Sequence, residues 1–216
     1  MPSKTAHQSP DDSQPGKLVK YILDNAVNGI PPLSSASALA KEYAIDSSYP
    51  DNESRTDALI NWETAKNFTS GFITGLGGLI TLPVSIPTAL GASWVIQARM
   101  CGAISVIYGH DLEEDRVRTL VLISLLGGAG KEVLKEAGIK VGQRVTLSVI
   151  KMIPGKVLID INKKVGFRLL TKAGEKGIVN FTKVVPVVGG IVGGTFDALT
   201  CRTVGSAAQR IFGEER

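Results

Sequence analysis

Along residues 17–26, KLVKYILDNA, apolar side chains return every three or four positions, the spacing that puts one face of a helix against a core. Gly29 with Pro31 and Pro32 stops that helix. A second follows in SSASALAKEY, residues 34–43, where strong helix formers stand behind a serine able to cap them. The polar stretch DSSYPDNES, residues 46–54, has the chemistry of a linker. No proline interrupts residues 51–82, so a long helix is expected to begin near Asp51 or Ser54 and run through Leu59, Trp62 and Ala65. Pro83 and Pro87 break it, and the next helix starts near Pro87 and continues to Tyr108, with Gly109 placed to end it.

Beyond that corner, Asp111 and Glu114 have the spacing of a capping box for a helix from Leu112 to the Gly127-Gly128 pair. Shorter amphipathic pieces occupy residues 130–137 and 140–152. Pro154 opens a helix to about Lys172, the segment AGEKG reads as a turn, and Pro186 heads the last helix. No period-two alternation is sustained anywhere, so the fold class is all-α, with seven to nine helices. They form a single helical domain over residues 17–216, behind a polar, Pro- and Ser-rich tail over residues 1–16 that reads as disordered.

Residues 67–98 hold no ionisable side chain. Such a stretch must be buried in protein or in lipid. A straight membrane span needs about twenty apolar residues, whereas residues 68–82 give fifteen before the proline break and 88–98 give eleven before Arg99. Two short limbs joined at LPVSIP could form an inserted hairpin over residues 68–98, with Pro83 and Pro87 at its tip. In the soluble alternative the same residues are a core. Gly71, Gly75 and Gly78 share one helix face, as do Gly189 and Gly193 on the last helix, and glycine faces let two helix backbones approach closely in either medium.

Charge is unevenly distributed. The net charge of +4 resolves into −3 over residues 1–66, −1 over 67–137, +8 over 138–183 and 0 over 184–216. Projected at helical spacing, Lys156, Lys163, Lys164, Arg168 and Lys172 fall on one arc with only Asp160 among them, opposite Leu158, Val165, Gly166 and Leu169. That arc can lie against an anionic partner, a phospholipid surface first, or it can be the solvated outside of a core helix. Nucleic acid ranks below lipid, because only Phe167 and Phe181 accompany the lysines as stacking platforms.

Recognised catalytic patterns are not met. LLGGAGKE, residues 125–132, departs from a phosphate loop at Leu125 and at Glu132. GLGG at residues 75–78 lacks the third glycine of a dinucleotide fingerprint. Two histidines and two widely separated cysteines provide no metal-ligand spacing, and nothing calls for a cofactor. The weak catalytic candidates are His110 and Asp111, whose simpler reading is a helix corner. The first residues contain no apolar stretch of the kind that directs export, and the sparse cysteines suit a reducing compartment. The expected location is therefore cytoplasmic, peripheral on the cytosolic face of a membrane.

The segments GFITGLGGLITLPVSIP, YGHDLEEDRVRTL, INKKVGFRLLTKAGEKGIVN and VPVVGGIVGGTFDALTCRTVGSAAQRIF resemble the EcsC protein family, over about residues 58–212. The family takes its name from a bacterial operon that also encodes the ATPase and membrane subunits of an ABC transporter. The resemblance implies a bacterial-type helical protein, cytosolic or membrane-associated, and brings no catalytic residues with it. Three functions follow as expectations. The first is a non-catalytic membrane-associated protein accessory to transport or secretion, with a membrane protein or transporter as partner. The second is a hydrolase acting on a hydrophobic substrate through the His110 and Asp111 corner. The third is a soluble adaptor whose basic helix docks an acidic protein.

Overall fold

The computed structural model describes residues 12–68, 88–139, 151–180 and 186–213, with side chains left aside at 66–68, 88, 89, 173–180 and 186–198. Among these residues are eight α-helices: α1 (Gln14–Asn28), α2 (Ala36–Ala44), α3 (Asn52–Phe68), α4 (Thr88–Ile107), α5 (Asp115–Leu125), α6 (Gly130–Glu136), α7 (Gly155–Asn180) and α8 (Pro186–Phe212). A single 3-10 turn, Gly127–Ala129, links α5 to α6. No β-strand occurs among the described residues; Ile30 and Leu33 make one isolated bridge.

Local chemistry sets many of the boundaries. Ser35 caps α2 by accepting from the Ala38 amide at 3.1 Å, and Ser13 caps α1 by accepting from Gly16 at 3.3 Å. Asp51 accepts from the Ser54 amide at 2.8 Å at the start of α3. Gly109, with φ of 82°, turns the chain out of α4, a conformation open to glycine at little steric cost.

Helix α4 lies at the centre, packed against α1, α2, α3, α5 and α8. Every residue from 91 to 105 is buried, so the helix has no solvent face and needs no amphipathic pattern. Its Leu90–Ile107 stretch is long and apolar enough to cross a membrane by composition, yet 83% of it is buried inside the bundle. Around it the largest fully buried side chains come from five other helices, with Leu18 and Ile22 of α1, Leu39 of α2, Leu59 of α3, Leu120 and Leu122 of α5, and Leu134 of α6. Cys101 and Cys201 are buried free thiols. Burial pushes the Cys101 thiol pKa up, with neighbouring Cys201 adding to the effect, so it stays protonated and inert.

The helix expected from near Pro87 to Tyr108 is present as Thr88–Ile107, and it carries Arg99 inside the bundle. The structure corrects two expectations. Asp111 and Glu114 do not form a capping box. Asp111 instead accepts from the Glu113 amide at 2.9 Å, a local turn that directs Leu112 into the core, and α5 starts only at Asp115. The AGEKG segment is not a turn: α7 passes through it to Asn180, since each glycine costs a helix only about 1 kcal/mol and Ala173, Glu175 and Lys176 favour it. The apolar positions Gly71, Gly75, Gly78, Pro83 and Pro87 lie outside the described residues.

Two glycines fix close helix crossings. A Cβ at Gly205 of α8 would sit 2.6 Å from the Ile60 side chain of α3, and one at Gly166 of α7 would collide with the Pro15 carbonyl at the start of α1. An isoleucine side chain can shift, whereas a backbone carbonyl must carry its helix with it. Gly166→Ala is therefore expected to lower stability by about 1–3 kcal/mol in urea unfolding, while Gly128→Ala, which meets nothing within 4 Å, should stay within about 0.5 kcal/mol of the parent.

Candidate functional site

The basic helix α7 is held through Leu158, Ile161, Val165 and Leu169, all buried, with Gly166 tight against α1. It packs on α1, α5 and α6. This seam leaves Lys156, Asp160, Lys163, Phe167, Thr171 and Lys172 facing outward. The five cations expected on one arc thus separate into two groups.

Lys164 and Arg168 flank the buried seam and turn toward α6. The Lys164 ammonium donates to the Glu136 carbonyl at 2.8 Å and lies 3.4 Å from Asp160. The Arg168 guanidinium lies 3.1 Å from Glu132 and also grips Glu136. The bond to Glu132 leads the causes that hold its pKa above the usual arginine value. These two cations are neutralised locally, and they clamp α6 onto α7.

Lys156, Lys163 and Lys172 are exposed and make no hydrogen bond or ion pair among the described residues. One helical turn after Lys163 stands Phe167, 61% exposed. At about 100° per residue Lys156, Lys163 and Phe167 share one face within about 40°, whereas Lys172 lies about 140° round from Phe167, next to Leu126 and Thr203. Met152, just ahead of the helix, is likewise exposed and follows the exposed Lys151.

At the second candidate, the corner after α4, His110 is turned to the end of α8. His110 Nε2 lies 3.1 Å from the Phe212 carbonyl, and its ring meets the Phe212 ring at 5.4 Å between centroids. With a carbonyl as partner, that nitrogen is the one carrying the proton. The imidazole thus closes the carboxyl end of α8, and the Asp111 carboxylate is turned to its own loop. Gly189 and Gly193 lie on α8.

Residues that no linear pattern singles out form a buried polar centre. Arg99 of α4 is 4% exposed and Glu63 of α3 is fully buried, their charged ends 3.4 Å apart. Arg99 also donates to the Ser34 carbonyl at 2.7 Å and to its hydroxyl at 3.3 Å. Nearby, Tyr43 of α2 is half-buried, and burial, followed by the charge of Glu63, pushes its phenol up to about 12. The signal was the lone arginine within an apolar helix, since a cation there needs a partner. Which residue supplies it depends on the packing of α3.

Arg99→Met would leave Glu63 without its guanidinium and is expected to cost about 3–5 kcal/mol in urea unfolding. The double variant Arg99→Met, Glu63→Met should recover a large part of that loss, because no buried carboxylate is then left behind.

Residues 38–214 match a family described as the EcsC protein family. No curated protein and no solved structure gives a significant match.

Proposed function

We propose that this chain, which belongs to the EcsC protein family, is a membrane-surface protein that holds anionic lipid through the outward stripe of α7. The observation that carries this reading is the exposed pair Lys156 and Lys163 with Phe167 on the same face of the helix, free of the pairing that occupies Lys164 and Arg168. The excess of cations over residues 138–183 supports it, because even with Lys164 and Arg168 paired the exposed lysines of α7 favour an anionic surface within a Debye length. Docked there, the protein works non-catalytically beside transport or secretion machinery on the cytosolic side. The family's association with an ABC-transporter operon supports that part of the reading. Residues 69–87, uncharged and adjoining α3 and α4, offer a further apolar element for the same membrane.

Each basic residue near an anionic membrane contributes about 1 kcal/mol. Lys156→Gln with Lys163→Gln should therefore weaken binding to phosphatidylserine-containing vesicles by roughly thirtyfold in sedimentation, and Lys172→Gln alone should change it little. Lys164→Gln with Arg168→Gln should weaken it far less, and rising salt should release the parent protein. Equal recovery on anionic vesicles and on neutral vesicles free of choline lipid would overturn the electrostatic reading and turn attention to an acidic protein as the partner of this stripe.

A further inference from the structure

Between the end of α2, the loop after it and the middle of α3 lies an open depression of about 540 Å3, lined by Glu42, Tyr43, Asp46, Tyr49, Asn61 and Trp62. It belongs to neither the α7 stripe nor the His110 corner. Its walls combine two kinds of negative potential. The Tyr43 and Tyr49 rings stand 6.1 Å apart and tilted by 32°, and Trp62 is 58% exposed on α3, so aromatic surface is presented to whatever enters. Glu42 and Asp46 supply carboxylates, and no cationic side chain is among the lining residues. The Ser48 amide donates to Asp46 at 2.9 Å and holds its carboxyl below the usual carboxylate range. Tyr43 resists ionisation for the reason given above, so its ring remains a neutral phenol.

The occupant such walls favour is a cation, and their chemistry narrows its class. Among the described residues no three metal-ligating side chains gather, and a divalent ion would need several oxygen ligands to replace its water shell. A quaternary ammonium carries its charge on methyl groups and sheds water readily. Aromatic faces attract it most strongly, tryptophan first. The volume falls in the range of small-molecule sites, with room for the ammonium head and part of what it is attached to.

We propose that this depression binds a quaternary ammonium group, held by the faces of Tyr43, Tyr49 and Trp62 and by the charges of Glu42 and Asp46. The group could reach it as a choline headgroup in a lipid or as a small free compound, and both present the same methylated cation.

The test titrates the full chain with tetramethylammonium and with phosphocholine at constant ionic strength, sodium chloride serving as the matched control. The chain contains two tryptophans, and Trp94 is buried, so a fluorescence change reports mainly on Trp62. Saturable quenching by both ammonium compounds, on the order of millimolar affinity and absent with sodium, is expected. Tyr49→Ala and Asp46→Asn should each weaken it by about fivefold or more while leaving helical circular dichroism unchanged. Binding to phosphatidylcholine vesicles that the same substitutions abolish would assign the lipid source, and binding of the soluble compounds alone would assign the free one. A linear response equal to that of sodium, or unaltered affinity in both variants, would overturn the proposal.

Discussion

A guanidinium inside an apolar helix is the constraint around which this bundle is arranged. Helix α4 has protein on every side, so Arg99 cannot turn toward water, and in a medium of low dielectric an unpartnered charge would cost several kcal/mol. Glu63 from α3 and the Ser34 carbonyl and hydroxyl ahead of α2 supply what water would otherwise give. The net stabilisation from such a pair is small, because desolvating two ions consumes most of their attraction. Its effect is geometric. Sliding α3 by one turn along α4 would leave both charges buried and separated, so the pair opposes every register except the observed one.

That register has consequences at a distance. It places Leu59 and Ile60 of α3 where α8 crosses, at the point where Gly205 admits the Ile60 side chain. It also brings the Tyr43 ring of α2 near Glu63 and sets Trp62, the preceding residue on α3, to the outside. Adjacent positions on one helix thus face opposite ways, one buried charge fixing the packing and one indole exposed at the surface.

What could be read along the chain was the chemistry that acts within a few residues. Ser35 caps α2, Gly109 ends the turn after α4, and Pro154 and Pro186 stand at the starts of α7 and α8, all through contacts local in sequence. The failures are tertiary. Arg168 is expected on one arc with Lys163, but α6 presents Glu132 and Glu136 from about thirty residues earlier and neutralises it, while Lys164 pairs with Asp160 on its own helix and donates to the Glu136 carbonyl. The partner of Arg99 was not legible because Glu63 lies 36 residues back along the chain. Asp111 and Glu114 had capping-box spacing, yet burial of Leu112 decided the backbone there. The aromatic depression draws on α2, a loop and α3, and no periodicity connects Tyr43, Tyr49 and Trp62.

The charge asymmetry of the sequence acquires a spatial meaning through these contacts. Helix α7 packs on α1, α5 and α6, whereas the acidic depression is built from α2 and α3, and α4 joins the two neighbourhoods through α1 and α5. Screening limits each charge to about 8 Å at physiological ionic strength. A surface approaching the Phe167 face of α7 therefore responds to Lys156 and Lys163 rather than to the net +4 of the whole chain. Charges of opposite sign kept on separate helix neighbourhoods do not cancel one another in binding. The exposed lysines of α7 and the acidic, aromatic hollow between α2 and α3 are thus electrostatically separate, each governed by its own few residues.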